Sequence, residues 1–188
     1  MRSNVNVVNH PIHPILVLIP VGAWITSFIF DIIFISTGNT FWFLAALWTM
    51  IIGIVGALIA AVAGMWDLFT LPLAERPKRV GLTHMTLNLI IVALYVINVI
   101  IRFSVPTSPI AGIIVPASTV MWAFILNLVA VVLLLVSGWY GGELIYRYGV
   151  AVPDETCERA SESEAQPITG EPGIAGYRGG ETPPHEEE

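Results

Sequence analysis

Three histidines and one aspartate have the types and positions needed for a chemical site in this chain of 188 residues. His10 and His13 lie at the start of the first long apolar stretch, Asp67 ends the second, and His84 opens the third. If these stretches are antiparallel helices, the alternating chain direction brings all four side chains to one end. Ionisable groups inside membrane helices are rare and often functional. We therefore expect a ligand or proton-handling site there.

Four interpretations of this group remain open. His84 with either His10 or His13 is a ligand set for a b-type haem, which needs one imidazole from each of two facing helices. All three histidines with Asp67 could instead hold a transition metal such as Zn or Fe. Because imidazole titrates near neutral pH, a quinone head group or a proton relay is a third interpretation. The fourth is structural, with His10 and His13 capping the first helix and His84 bonded to Asp67.

The apolar stretches have the length and continuity of membrane-spanning helices. A helical span needs about 20 apolar residues, and four stretches reach that length, at about 14–36, 41–66, 82–102 and 118–140. The apolar runs are continuous and do not alternate with polar residues, which excludes a strand-built barrel. Only 12% of the residues are charged, about half the usual share of a soluble domain. We predict an all-α, polytopic membrane protein with a bundle of four transmembrane helices.

The charge divides the chain into two different parts. The net charge is −6 overall, but residues 1–150 carry +2 and residues 151–188 carry −8. The acidic part has few large apolar residues, and such segments remain disordered. We therefore expect a His-Pro segment at 1–13, a transmembrane domain at 14–150 and a disordered acidic tail at 151–188. Cys157 is the only cysteine, so no disulfide and no cysteine-ligated cluster forms within one chain.

Basic residues predict the orientation in the membrane. With four spans, both termini and the second loop lie on one side, and basic residues near the spans favour the cytoplasm. Arg102 is the single basic residue near the opposite ends. We expect a multi-pass protein of the inner membrane with both termini cytoplasmic. The basic residues on the predicted cytoplasmic side are Arg2, Arg76, Lys78, Arg79 and Arg147.

A second pair of charges lies at matching depths. Asp31 follows His13 by 18 residues, and Arg102 follows His84 by the same number. Eighteen residues make five helical turns, so each charge lies on the same face as its histidine. We expect Asp31 and Arg102 to form an ion pair between the first and third spans, the alternative being that Arg102 extends to lipid head groups.

Other polar and small residues define the faces that point inward. Span three groups its polar residues within about 80° of the helix surface, and a polar stripe facing lipid is costly. The small-residue face of span two allows either close helix packing or room for a flat cofactor. On span four, Asn127 and Glu143 lie on different faces, and we expect Glu143 to fold back over the histidines. The polar stripe contains His84, Asn88, Tyr95, Asn98 and Arg102, and the small-residue face contains Thr49, Gly53, Gly56, Ala60, Gly64 and Asp67.

Four motifs in order resemble one uncharacterised prokaryotic family of four-helix membrane proteins, known as domain of unknown function twenty-two thirty-one. The resemblance covers about residues 8–150. Some relatives are fused to c-type cytochrome or Rieske iron–sulfur domains, which implies a role in membrane electron transfer and a redox partner such as a cytochrome c or a Rieske protein. The motifs are Asn9-His10-Pro11-Ile12-His13-Pro14, Gly64-Met65-Trp66-Asp67, Arg79-Val80-Gly81-Leu82-Thr83-His84 continuing to Asn88, and Gly138-Trp139-Tyr140-Gly141-Gly142-Glu143-Leu144.

The sequence contains none of the common catalytic motifs. The phosphate-binding loop, the nucleophile elbow, H-E-x-x-H and C-x-x-C are all missing, so no enzyme class and no nucleic-acid partner is indicated. We therefore expect an electron-transfer subunit that contacts the lipid bilayer, joins a homo- or hetero-oligomer, and binds haem b or a quinone head group. The alternative is a metal-binding or purely structural subunit of a membrane complex.

Overall fold

Four long helices form the body of the protein. The computed structural model describes residues 6–7, 10–105, 107–108 and 112–150, with side chains for 12–105 and 114–150. All four helices are long and apolar enough to cross a membrane, so the predicted all-α membrane fold is confirmed. The helices are α1 Ile12–Thr37, α2 Thr40–Thr70, α3 Glu75–Phe103 and α4 Ala117–Tyr146.

Two short antiparallel strand pairs, which the sequence does not predict, accompany the helices. Before α1, β1 (Asn6–Val7) pairs with β2 (His10–Pro11). Between α3 and α4, β3 (Thr107–Ser108) pairs with β4 (Gly112–Ile113). The predicted disordered tail at 151–188 lies outside the described residues.

Helix α3 begins at Glu75, seven residues before the third apolar stretch predicted at about 82–102. Residues from Glu75 onward are already helical. Pro77 is the third residue of the helix, where a backbone N–H would have no partner within the helix, so its missing N–H costs nothing there. As a result, Arg76 and Arg79 lie on the first turns of α3 and both are exposed.

The helices form two hairpins that meet in a shared core. Helix α1 packs mainly on α2, and α3 packs mainly on α4. The first turn is tight because Gly38 adopts φ +66° and the Asn39 side chain accepts a hydrogen bond from the next helix. The apolar surface left exposed fits contact with lipid. The buried core is formed by Trp24, Ala46, Met50, Ile91, Tyr95, Ala130 and Leu134.

The small-residue face of α2 is a packing surface for α1. A Cβ atom on Gly53 would lie close to the Trp24 indole, and one on Gly56 would lie 2.7 Å from Cγ2 of Ile19. Glycine at these positions therefore permits close approach of the two helices. The room that this face offers to a flat cofactor is filled by side chains of α1.

Substitution of Gly53 tests this packing. We expect Gly53→Ala to lower the free energy of unfolding by about 1–3 kcal/mol, because the added methyl group overpacks the contact with Trp24. Gly138→Ala is the matched control, since a Cβ atom there meets nothing within 4 Å. Thermal unfolding in detergent, followed by tryptophan fluorescence, measures both variants. Equal midpoints for the two would contradict the close approach.

Candidate functional site

The imidazole of His13 is held between α1 and α2. Its Nδ1 lies 2.8 Å from the backbone oxygen of Ala60. Four residues further along α2, Gly64 makes room for the ring, since a Cβ atom there would lie 2.7 Å from Cε1 of His13. The carbonyl and the glycine together fix both the position and the orientation of this imidazole.

The imidazole of His84 is held in the same way between α3 and α4. Its Nδ1 lies 2.8 Å from the backbone oxygen of Ser137. Gly141, again four residues further on, leaves room for this ring, since a Cβ atom there would lie 3.1 Å from Cε1 of His84. Each hairpin therefore holds one histidine by the same two contacts, a backbone carbonyl and a glycine four residues further along.

The hydrogen bonds fix which nitrogen carries the proton. A backbone carbonyl only accepts, so Nδ1 of each neutral ring is the donor and Nε2 carries a lone pair. The centroids of the two half-buried rings are 6.5 Å apart, and their planes are nearly perpendicular. This end of the bundle thus carries two Nε2 acceptors from opposite hairpins.

Asn88 contacts one of these acceptors. Its Nδ2 lies 3.1 Å from Nε2 of His84, 2.9 Å from Oγ of Ser137 and 2.8 Å from the His84 backbone oxygen. The amide nitrogen has two hydrogens for three acceptors. Asn88 can therefore release Nε2 of His84 and keep both hydrogens bonded.

The structure describes the other two predicted ligands, His10 and Asp67, in less detail. The backbone of His10 lies in β2, ahead of the first helix, and its side chain is outside the described residues. Asp67 is buried near the end of α2, with 8% of its surface exposed. Within the described ranges, no group of three or more His, Cys, Asp or Glu residues could hold a metal ion.

A layer of stacked aromatic rings follows along the bundle axis. Trp24 and Tyr95 are fully buried, with centroids 4.4 Å apart and planes at 10°. Trp24 donates its indole N–H to the backbone oxygen of Met50 at 3.4 Å. Tyr95 donates its hydroxyl to Oδ1 of Asn127 at 3.0 Å. The two rings join α1 to α3 at the centre of the protein.

Asp31 and Arg102 form a buried ion pair at the far end of this axis. Nη2 of Arg102 donates to both carboxylate oxygens, at 2.6 and 2.7 Å. Asn127 donates to Oδ2 of Asp31 at 2.7 Å, and Nε of Arg102 donates to Asn98 at 2.9 Å. The guanidinium group also lies over the Phe43 ring, 4.6 Å from its centroid. All four helices contribute to this network.

The remaining predicted interior residues differ in their surroundings. Asn98 is fully buried and donates to the backbone oxygen of Ala123 at 2.8 Å. The carboxylate of Glu143 does not bond a histidine, because it pairs with Arg147 on the next turn at 2.8 Å. Of the two polar residues on α4, Asn127 faces the interior.

Three pairs of residues lie along the bundle axis and form what we call the histidine, aromatic and charged layers, and the two members of each pair have the same separation in the chain. His13 and His84, Trp24 and Tyr95, and Asp31 and Arg102 are each 71 residues apart. The residues that accept hydrogen bonds from the first two pairs are 77 residues apart. Ala60 and Ser137 accept from the two histidines, and Met50 and Asn127 accept from Trp24 and Tyr95. The two hairpins are thus built alike around one axis. This spacing is the signal in the sequence that would have identified the Trp24–Tyr95 contact.

The charged layer is tested by a double-mutant cycle. We expect Asp31→Leu or Arg102→Met alone to cost about 3–5 kcal/mol of unfolding free energy, since each leaves a buried charge unpaired. The double variant should lose less than the sum of the two, because it removes both charges. Arg147→Met is the control, since the exposed pair of Arg147 with Glu143 contributes about 0–1 kcal/mol. Additive losses in detergent unfolding would show that the two charges are not coupled.

The comparisons with known proteins identify a family. The model of the family described as predicted membrane protein (DUF2231) matches residues 9–154, a range that includes both hairpins. No curated protein and no solved structure matches the chain. Because the family match spans most of the chain and includes both histidine positions, the protein belongs to the DUF2231 family of membrane proteins.

Proposed function

We propose that the protein is an electron-transfer subunit that binds a quinone head group at His13 and His84. The observation that carries this proposal is the pair of half-buried imidazoles, 6.5 Å apart, whose Nδ1 atoms are both bonded to backbone carbonyls. Each ring therefore keeps Nε2 as an acceptor, and Asn88, which donates to this atom on His84, can yield it to a ligand because the amide has two other acceptors.

A comparison of the three layers supports a ligand at the histidines. Trp24 and Tyr95 stack on each other, and Asp31 and Arg102 neutralise each other. The histidine layer differs, because both hairpins supply the same residue and two Nε2 lone pairs cannot bond to each other. A group that donates to Nε2 of His13 and replaces Asn88 at Nε2 of His84 would complete this layer.

The packing favours a quinone over haem b. A haem between His13 and His84 needs a flat opening as wide as a porphyrin, and the glycines that could provide it face side chains of the protein itself. Gly64 is filled by His13 and Gly141 by His84. These glycines therefore offer a porphyrin no opening of their own. A quinone needs only its oxygen atoms to reach the half-exposed rings from the side.

The chemistry then divides between this chain and a partner. A quinone carries two electrons and two protons between its oxidised and reduced forms. His13 and His84 accept hydrogen bonds at Nε2 from the hydroxyl groups of the reduced form, and these nitrogens take up in turn the protons that its oxidation releases. The electrons pass to a redox partner such as a cytochrome c or a Rieske protein, since one cysteine cannot supply a c-type haem site or an iron–sulfur cluster here.

The histidine geometry also favours a second candidate, a transition-metal site. Metal-bound histidines usually donate their other N–H to a backbone carbonyl or carboxylate, as His13 and His84 do. In that case His10 would supply a third ligand, because Asp67 forms no metal-binding group with the two histidines in the described part of the chain. A structural subunit, in which the two rings only join the hairpins, is the outcome if neither ligand binds.

Quinone binding is tested on the full chain in lipid nanodiscs. We expect decylubiquinol, kept under anaerobic conditions, to bind to the wild type in a titration, and to bind at least about tenfold more weakly to His13→Ala and His84→Ala, since its hydroxyl groups lose one acceptor in each variant. Thr86→Ala is the control, because its exposed hydroxyl bonds only within α3. Equal binding by all four proteins would contradict the proposal.

Two further measurements on the same samples separate the alternatives. A Soret band after haem-replete expression, lost in His84→Ala, would indicate haem b. Stoichiometric Zn, Cu or non-haem Fe, lost in His13→Ala, would indicate the metal site. If none of these ligands binds and both variants assemble normally, the structural role stands.

We also propose that both termini face the cytoplasm from the inner membrane. Arg76, Lys78 and Arg79 are exposed at the start of α3, and Arg147 follows the end of α4, so the basic residues gather at the histidine end. A reporter that is active only in the cytoplasm, fused after residue 150, should be active. Inactivity would place the histidines at the opposite face.

A further inference from the structure

The hydrogen-bonding roles of the two histidines restrict the oxidation state of the ligand. Nδ1 of each ring is committed as a donor, at 2.8 Å, to the backbone oxygen of Ala60 or Ser137. A carbonyl cannot donate, so neither ring can reverse its tautomer without losing this bond. Each neutral ring is therefore an acceptor, and only an acceptor, at Nε2.

Protonation of both rings would remove this restriction, but the geometry opposes it. Two imidazolium ions with centroids 6.5 Å apart would repel each other, most strongly in a half-buried site where water screens poorly. At least one Nε2 therefore remains an acceptor. A ligand with two hydrogen-bond donors fits this pair, whereas the oxygens of a ligand with acceptors alone face a lone pair at one Nε2 or at both.

We propose that the site binds the reduced hydroquinone and discriminates against the oxidised quinone, an inference that rests on the proposed quinone function. A hydroquinone has two O–H groups that donate to Nε2 atoms. A quinone has only carbonyl oxygens, which face the lone pairs of His13 and His84 without a hydrogen between them. A site built to bond a hydroxyl rejects analogues that lack it.

Asn88 supplies the hydrogen-bond donor that a hydroxyl of the ligand would replace at His84. Its amide donates toward Nε2 of His84 at 3.1 Å, which occupies the acceptor without a ligand. When a hydroxyl takes this position, Asn88 keeps its bonds to Oγ of Ser137 and to the His84 backbone oxygen. The ligand donor therefore replaces a protein donor, and no buried polar group is left unsatisfied.

The experiment compares two oxidation states of one ligand on the full chain in nanodiscs. Decylubiquinol and decylubiquinone are titrated in one buffer at pH 8, with the reduced form kept under anaerobic conditions. We expect decylubiquinol to bind at least about tenfold more tightly. The matched control is the di-O-methyl ether of decylubiquinol, which lacks both donors and should bind no better than the quinone.

Variants connect the preference to the two rings. In His13→Ala and His84→Ala the ratio of the two affinities should fall, since one acceptor is lost, and in Thr86→Ala it should stay at the wild-type value. Equal or tighter binding of the quinone by the wild type would overturn this inference and leave the proposed function intact. Binding of neither form would overturn both.

Discussion

The ion pair of Asp31 and Arg102 is the contact on which the rest of the structure depends, because it neutralises two buried charges and joins the two hairpins. Helix α1 packs mainly on α2 and α3 mainly on α4, and the hairpins contact each other less extensively. A charge in the membrane interior is tolerated when it is paired and its remaining bonds are satisfied. Asn98, Asn127 and the backbone of Phe43 provide those bonds. The neutralised pair thus fixes the depth at which the hairpins meet.

The need of buried polar groups for partners within the protein also determines the geometry of the histidines. In the interior of a membrane protein a polar group must find its partner within the protein, and each imidazole finds one in a carbonyl of its own hairpin. That bond orients His13 and His84 independently of each other. The ion pair then sets how the two orientations combine, because it fixes α1 against α3 five turns away. The positions of the two Nε2 acceptors therefore depend on the packing within each hairpin and on the ion pair between the hairpins.

The sequence predicted the fold and the inward faces well, because both follow from periodicity. Four apolar stretches identified the helices, and the 18-residue spacing placed Asp31 and Arg102 at equal depth on the faces where the structure pairs them. The start of α3 was misplaced because hydropathy measures apolar content, whereas the helix already includes the charged turns that precede the apolar stretch. Glu143 was expected near the histidines, but a neighbouring cation, Arg147, offers a closer partner on its own helix. Such local competition leaves no periodic signal.

The likeness of the two hairpins was also hidden from the sequence, for a physical reason. Only residues at the axis between the hairpins contact their equivalents, so only a few positions, 71 residues apart, are constrained together. At two of these layers the constraint requires unlike residues, because Asp31 bonds Arg102 but would repel a second carboxylate, and Trp24 stacks on a smaller ring. The similarity of the two hairpins is therefore visible in the contacts between equivalent residues and not in the identity of those residues. The histidine layer is the exception, because there both hairpins supply the same residue, and Asn88 donates to Nε2 of His84.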